Sequence, residues 1–324
     1  MASSAHNPAQ DFGTDRSVLQ RIGNTPLLEL RRIVPEDHAR ILLKIESVNP
    51  TGSMKDRMAL AMVEAGIRSG KLQPGQRVVE YTGGSTGVSL SLVCAALGYP
   101  LSIVTSDAFS AEKRRHMQAL GAELTIVPSQ GGGMDAALTR AMIAAARQIM
   151  EQTGAFWTDQ LNNTDQISAY HAMADEIWAQ TGGGVDAFVQ STGTAACIRG
   201  VAERLRQHKT DIRIVAVEPA ESAVLSGGPS GVHKIEGAGA GFIVPLWRDG
   251  IADTIMPVST NEAMAMARRL ARMEALFAGT STGANLVAAL AVARELGPEA
   301  TVVTVLCDTG IKYISTALYS GDEA

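Results

Sequence analysis

The chain has 324 residues, a length that accommodates about two domains and a sizeable buried core. Its composition, 46% hydrophobic and 19% charged, is typical of a globular protein, and its net charge of -5 argues against a nucleic-acid partner. The first twenty residues lack the basic start and apolar core of a signal peptide, and no long uninterrupted apolar stretch follows. We therefore expect a cytoplasmic protein that contacts no membrane.

The cysteines and histidines show no pattern of metal ligands. Cys94, Cys197 and Cys307 are odd in number and far apart in the sequence, which predicts reduced thiols rather than disulfides. The six histidines have no metal-ligand spacing either, so the sequence predicts no metal site.

Predicted strands and helices alternate along the chain, after a polar segment at residues 1–17 that resembles a mobile tail or a partner-contacting arm. The predicted strands are residues 41–45, 77–81, 101–105, 124–127, 186–190, 213–217 and 301–306. The predicted helices are residues 58–67, 87–97, 111–120, 135–150, 166–180, 197–206 and 283–295. This alternation predicts an α/β fold of parallel sheets covered by helices on both faces.

One lysine stands out at a predicted helix start. Residues 49–57 read Asn-Pro-Thr-Gly-Ser-Met-Lys-Asp-Arg, in which Ser53 and Asp56 fit a helix-capping signature. Lys55 is then expected in the first helical turn, where the positive pole of the helix dipole favours the free amine that attacks carbonyl groups. A solvated surface lysine would show the same local pattern.

Three predicted strand-to-helix loops combine small residues with hydroxyls. Residues 82–87, 192–197 and 279–283 read Thr-Gly-Gly-Ser-Thr-Gly, Thr-Gly-Thr-Ala-Ala-Cys and Gly-Thr-Ser-Thr-Gly. Backbone N–H groups and the helix dipole at such loops favour a phosphate or a carboxylate. None fits a Walker A motif or a dinucleotide fingerprint. Each loop alone fits an ordinary capped turn, but three of them together with Lys55 favour an anionic ligand.

A serine hydrolase is an alternative interpretation of the same loops. Residues 83–87 and 279–283 both fit Gly-x-Ser-x-Gly, and Asp186 or Asp211 followed by His233 would complete a catalytic order. One such loop suffices for a hydrolase, and no His-Gly-Gly-Gly segment is present. Two matches therefore favour a shared loop geometry over a nucleophile.

Ordered motifs along almost the whole chain resemble those of one enzyme family. They are Ile-Gly-Asn-Thr-Pro-Leu at 22–27, residues 49–57, the block 217–243, Thr-Ser-Thr-Gly-Ala at 280–284, and Asp-Thr-Gly at 308–310 with Tyr313. The chain resembles the cysteine synthase and cystathionine β-synthase family of fold type II pyridoxal-phosphate enzymes. This resemblance implies two open, twisted, mainly parallel sheets flanked by helices, as in the tryptophan synthase β-like fold. It also implies an N-terminal arm and strand in residues 1–45, a smaller mobile domain in 46–155 and a larger cofactor-binding domain in 156–324.

The resemblance assigns roles to individual residues. Lys55 would bind pyridoxal 5′-phosphate covalently and later take the substrate α-proton as general base. Ser281 would face the pyridine nitrogen, where a neutral hydroxyl suits β-elimination better than transamination. The implied cofactor-binding residues are Lys55, Ser85, Gly193, Thr194, Ala195, Ala196, Cys197 and Ser281. The implied substrate-binding residues, for the carboxylate, are Thr82, Gly83, Gly84, Thr86 and Gln160.

Three departures from the family pattern bear on the substrate. The carboxylate loop usually reads Thr-Ser-Gly-Asn-Thr, but Gly83 and Ser85 replace its serine and asparagine. The phosphate loop usually reads Gly-Thr-Gly-Gly-Thr, and residues 195–197 replace its last three positions. Ile311 and Lys312 stand where the family usually has Glu-Arg.

The implied activity is β-replacement on an activated serine, such as O-acetylserine with sulfide to give cysteine. β-Elimination by a dehydratase or desulfhydrase stays open, because Gly83 and Ser85 are predicted to enlarge the site and remove a contact. A non-catalytic scaffold is a third option. The resemblance also implies a homodimer whose ligand is a small amino acid.

Overall fold

The computed structural model describes residues 17–129 and 135–320, so the predicted arm at residues 1–17 lies almost wholly outside the described part. The strands are β1 Leu27–Leu30, β2 Arg40–Ile45, β3 Val78–Tyr81, β4 Leu101–Ser106, β5 Glu123–Val127, β6 Phe156–Trp157, β7 Ala187–Ser191, β8 Arg213–Pro219, β9 Thr254–Val258 and β10 Thr301–Leu306. The helices are α1 Lys55–Arg68, α2 Ser85–Leu97, α3 Ala111–Ala119, α4 Ala136–Thr153, α5 Asp165–Thr181, α6 Ala196–His208, α7 Thr260–Glu274 and α8 Thr280–Leu296. Of the described helices, none is long and apolar enough to cross a membrane.

The strands form two sheets. The larger sheet has the order β1-β2-β10-β7-β8-β9, in which only β1 runs antiparallel to its neighbour among the described strands. The smaller sheet has the order β5-β4-β3-β6 and is parallel throughout its described pairs. Strands β3, β4, β7 and β10 are buried at every residue, as expected for parallel strands with helices on both faces. The predicted α/β fold class with two mainly parallel sheets is confirmed.

Four elements are absent from the predicted list: β1, β6, β9 and α7. Strand β6 has only two residues, and β1 and β9 are partly exposed strands at the edges of the larger sheet. Helix α7 begins with a capping box, in which the Ser259 hydroxyl accepts the Glu262 N–H and the Glu262 carboxylate accepts the Ser259 N–H. The spacing of this serine and glutamate is visible in the sequence, so this signal would have located α7.

The helices that follow the three hydroxyl-rich loops begin earlier than predicted. Helices α2 and α8 start at Ser85 and Thr280, two and three residues before the predicted starts, and α6 starts at Ala196. Hydroxyls of the first and third loops therefore belong to first helical turns, and this places the loop N–H groups at the helix N-termini.

The predicted division into domains stays a prediction. Strands β1 and β2, from the predicted N-terminal segment, both belong to the larger sheet. Strand β6 belongs to the smaller sheet although it begins at Phe156, one residue beyond the predicted boundary.

The predicted cap of α1 is wrong in one respect. The Ser53 hydroxyl does accept the Lys55 N–H, at 3.2 Å, but the Asp56 carboxylate does not reach back to Ser53 as a capping box requires. It accepts instead from the backbone N–H and the hydroxyl of Thr51. Asp56 is buried, so its oxygens bind the donors that the preceding turn offers, and this holds the turn against the helix.

A buried ion-pair network anchors α1 to the larger sheet. The Arg57 guanidinium donates to both carboxylate oxygens of Glu46, each at 2.8 Å, and to both of Glu176, at 2.8 and 2.7 Å. Lys44 of β2 pairs with Glu176 at 2.7 Å. Glu176 lies on α5, so the network connects β2, α1 and α5. Its arginine, Arg57, is only two residues from Lys55 in the sequence.

Candidate active site

A cleft lies at the carboxyl ends of the central strands of both sheets. It is lined by residues 82–86 after β3, Phe109 after β4, residues 193–194 after β7 and residues 307–308 after β10. Ligands of parallel α/β sheets bind at this edge, because the loops and helix N-termini converge there.

Lys55 is the first residue of α1 and lines this cleft, so its predicted place at a helix start is confirmed. The turn before it is bonded to the end of β10: the Met54 N–H donates to the Cys307 carbonyl at 2.9 Å, and the Thr309 N–H donates to the Gly52 carbonyl at 2.9 Å. Gly52 has a φ of +72°, and a side chain there would collide with Thr309. The close approach of Gly52 to Thr309 places the start of α1 at the cleft.

The predicted carboxylate loop also lines the cleft. The Thr82 hydroxyl accepts the Gly84 N–H at 3.0 Å, which closes the turn. The Phe109 ring packs where a side chain at position 83 would project, since a Cβ atom on Gly83 would lie 2.9 Å from it. The sequence alone predicts that Gly83 enlarges the site, but Phe109 fills that space. The Ser85 hydroxyl donates to Asp308 at 2.9 Å.

Gln160 lies beside the carboxylate loop and lines the cleft. Its side-chain amide donates to the Tyr81 carbonyl at 2.6 Å, and its N–H donates to Glu80 at 2.9 Å. Burial raises the pKa of Glu80 to about 7, although hydrogen bonds from Thr158, Trp157 and two backbone N–H groups oppose that rise. Glu80 supports Gln160 from inside β3, a position that offers no signal of function in the sequence.

The predicted phosphate loop lies directly before the N-terminus of α6. Gly193 and Thr194 line the cleft, and the predicted residues Ala195, Ala196 and Cys197 lie at the buried start of α6. Ala195 has a left-handed φ of +67°, a conformation that explains why glycine usually stands there. Ala195, the residue before α6, has no capping side chain, and the Thr194 hydroxyl accepts the Ala196 N–H at 3.3 Å. An anion at this helix start would bind further N–H groups of the first turn.

Two further observations fit a phosphate-bearing cofactor at this loop. A Cβ atom on Gly193 would overlap the Gly237 carbonyl, so only glycine allows the two segments to approach. The buried Thr192 hydroxyl has no hydrogen-bond partner within the described part of the chain. An anion at the N-terminus of α6 would satisfy such donors.

Ser281 lies in the first turn of α8 and lines the same cleft. Burial raises the pKa of the Cys307 thiol, while the Lys55 charge and a hydrogen bond from Ser281 oppose that rise. Burial likewise raises the pKa of Cys197, and Lys55 again opposes it. Lys55, Ser281 and Cys307 all line the same cleft. The structure thus brings the predicted residues together, while their individual roles stay predictions.

Four charged or polar residues at or next to the cleft were not among the predicted site residues: Lys113, Glu236, Asp308 and Tyr313. The Tyr313 hydroxyl donates to Asp308 at 2.8 Å and accepts from the Lys113 ammonium at 3.0 Å. Lys113 also pairs with Glu236 at 2.6 Å. Asp308 and Tyr313 belong to a motif that is visible in the sequence, but Lys113 and Glu236 carry no signal there.

Lys312, which replaces the arginine of the family pattern and precedes Tyr313 in the chain, is buried. Its ammonium has no hydrogen-bond partner within the described residues. Burial lowers the pKa of Lys312 to about 8, and attraction to Asp308 opposes that fall. Lys312 itself does not line the cleft.

The hydrolase alternative has no histidine base among the described residues of the cleft. No histidine lines the cleft in the part of the chain that the structure describes. The ring of His233 is bonded instead to the Gly239 carbonyl at 2.9 Å, and the Ser85 hydroxyl is bonded to Asp308. A serine nucleophile needs a base within hydrogen-bond reach.

A family model described as pyridoxal-phosphate dependent enzyme matches residues 18–308. The chain belongs to this class of enzymes, and pyridoxal 5′-phosphate is its cofactor. Lys55 and the start of α6 fit that group, since Lys55 offers an amine to the cleft and Gly193 and Thr194, just before α6, line the same cleft.

Comparison with individual proteins shows which family of this enzyme class the chain resembles. The chain is 41% identical over 309 residues to a cysteine synthase of Staphylococcus aureus, across 95% of this chain and 98% of that protein. It is 36% identical to a cysteine synthase of Entamoeba histolytica, with a TM-score of 0.89, across 100% of this chain and 96% of the other. A hydrogen sulfide-producing enzyme of Fusobacterium nucleatum is 32% identical, with a TM-score of 0.87, across 93% of this chain and 100% of the other. The chain is a member of the cysteine synthase family, whose chemistry takes place at the β-carbon of an amino acid.

Proposed function

We propose that this protein catalyses β-replacement on an activated serine, in which O-acetylserine and sulfide give cysteine and acetate. The observation that carries the proposal is the convergence of Lys55, Ser281 and the loop at residues 82–86 on one cleft. The similarity to cysteine synthases over almost the whole chain supports the choice of reaction.

Each wall of the cleft would serve one part of the reaction. When bound, pyridoxal 5′-phosphate supplies an electron sink for charge that develops at the substrate α-carbon. Lys55 holds the cofactor and then takes the proton from the α-carbon. The N–H groups at the start of α6 bind the phosphate, and Ser281 faces the pyridine nitrogen. Residues 82–86 and Gln160 bind the substrate carboxylate.

β-Elimination is a second candidate, favoured by two observations. The Ser85 hydroxyl is engaged by Asp308, and serine lacks the reach of the asparagine that the family usually has there. A hydrogen sulfide-producing enzyme is also among the similar structures. In elimination the amino acid would lose its β-substituent and yield a 2-oxo acid and ammonia.

We expect the purified protein with its cofactor to form cysteine from O-acetylserine and sulfide, with little 2-oxo acid. Cysteine is measured by chromatography and 2-oxo acid by a coupled dehydrogenase assay. Reactions without sulfide serve as the control. Serine, threonine and cysteine are tested separately as substrates of elimination. If one of these gives 2-oxo acid and no product depends on sulfide, the protein is a lyase and the synthase proposal is wrong.

We also propose a homodimer, which the family resemblance supports. Light scattering at micromolar concentration is expected to give twice the mass of one chain. A single-chain mass at that concentration contradicts the proposal.

A cytoplasmic location is proposed on the same basis. The three cysteines are buried free thiols, as suits a reducing compartment. Cell fractionation tests this location, and recovery outside the cytoplasmic fraction opposes it.

A further inference from the structure

Lys113 is a buried lysine in the wall of the cleft. Its side chain is 2% exposed, and its ammonium group lies 2.6 Å from a Glu236 oxygen and 3.0 Å from the Tyr313 hydroxyl. The ammonium also lies 4.2 Å from the centre of the Tyr313 ring. A lysine is rarely buried unless its charge is paired, so this geometry is held by its partners.

The Lys113 contacts join the two halves of the cleft. Lys113 lies on α3, which connects β4 and β5 of the smaller sheet, whereas Glu236 and Tyr313 follow β8 and β10 of the larger sheet. Its aliphatic stem packs against Gly84, where a side chain would collide with it. Lys113 therefore supports the carboxylate loop from behind while its charge reaches the opposite wall.

The same lysine balances charge in the cleft. Two carboxylates, Asp308 and Glu236, line the cleft. Among the described residues, the cations that line it are Lys55 and Lys113. The proposed function engages Lys55 with the cofactor, and Asp308 accepts hydrogen bonds from Ser85 and Tyr313. Without Lys113, the Glu236 carboxylate would face a substrate carboxylate and hydrosulfide, which are both anions, and like charges oppose binding.

We propose that Lys113 is a positioning residue for anionic substrates: it holds the loop at residues 82–86 and neutralises Glu236. This inference rests on the proposed function, since it takes an amino acid and hydrosulfide as the ligands. Lys113 acts through the loop and through Glu236 rather than on the reacting atoms.

The test compares Lys113→Met, Lys113→Arg, and the double variant Lys113→Met with Glu236→Gln. We expect Lys113→Met to raise KM for O-acetylserine and sulfide by about tenfold, with a smaller change in kcat. The Arg variant keeps the charge and is expected to retain most of the affinity. The double variant removes both charges and is expected to recover most of the lost affinity.

A binding measurement separates this inference from the proposed function. Serine is titrated into each cofactor-loaded variant, and its dissociation constant is read from the change in cofactor absorbance, which requires no turnover. A wild-type protein that binds serine but makes no cysteine defeats the proposed reaction and still allows this test. A double variant that binds serine as weakly as Lys113→Met overturns the neutralising role. Unchanged binding in Lys113→Met overturns the whole inference.

Discussion

Replacement of Lys55 by alanine is expected to abolish covalent cofactor binding and to reduce cysteine formation by about a thousandfold or more. Lys55 begins α1 and lines the cleft, and its amine is both the proposed cofactor attachment and the proposed base. The purified variant is expected to lose cofactor absorbance on dialysis. After borohydride reduction, mass spectrometry is expected to find the cofactor on Lys55 in the wild type.

Lys71→Ala is the matched control, because Lys71 is an exposed lysine beyond the end of α1. It is expected to keep the absorbance and the activity of the wild type. Label on a lysine other than Lys55, or a Lys55→Ala variant that retains full activity, contradicts the proposed role.

Replacement of Arg57 by methionine is expected to lower the free energy of unfolding by about 3–5 kcal/mol. Arg57 is buried and donates to both oxygens of Glu46 and of Glu176, so its removal leaves the buried Glu46 carboxylate without its paired cation, while Glu176 keeps Lys44. Denaturant unfolding measures the loss. Arg68→Ala, on the same helix, removes an exposed pair with Glu64 and is expected to cost about 0.5 kcal/mol or less. Equal losses in the two variants would contradict a structural role for the network.

The same network predicts a dependence of stability on pH. Burial alone would raise the pKa of Glu176, but hydrogen bonds and attraction from Arg57 and Lys44 lower it to about 2, from an ordinary value of 4.5. Because the folded pKa is the lower one, this stabilisation is present above pH 4.5 and is lost as the pH falls toward 2. The loss in free energy of unfolding is expected to be about 3 kcal/mol. Denaturant unfolding at a series of pH values measures this loss of stability. If a Glu176→Gln variant shows the same loss in acid, the loss comes from other groups.

Part of the active site is predictable from local sequence. Lys55 is expected at a helix start because Asn-Pro and Gly end the preceding strand, and such turn chemistry acts over a few residues. The loops at 82–87, 192–197 and 279–283 are recognisable for the same reason, since small residues and hydroxyls before a helix have a local meaning. The edge strands β1 and β9 are not predictable in this way, because partial burial weakens their pattern.

Periodicity and turn chemistry are local, so the sequence was sufficient for the α/β class, for the lysine at the start of α1 and for the position of three loops before helix N-termini. Which of these residues share a cleft depends on how the two sheets pack. Lys113 pairs with Glu236 across 123 residues of sequence and with Tyr313 across 200. Phe109 likewise fills the space beside Gly83. Residues distant in the chain become neighbours only when the elements that carry them pack together, so the sequence alone does not show these contacts.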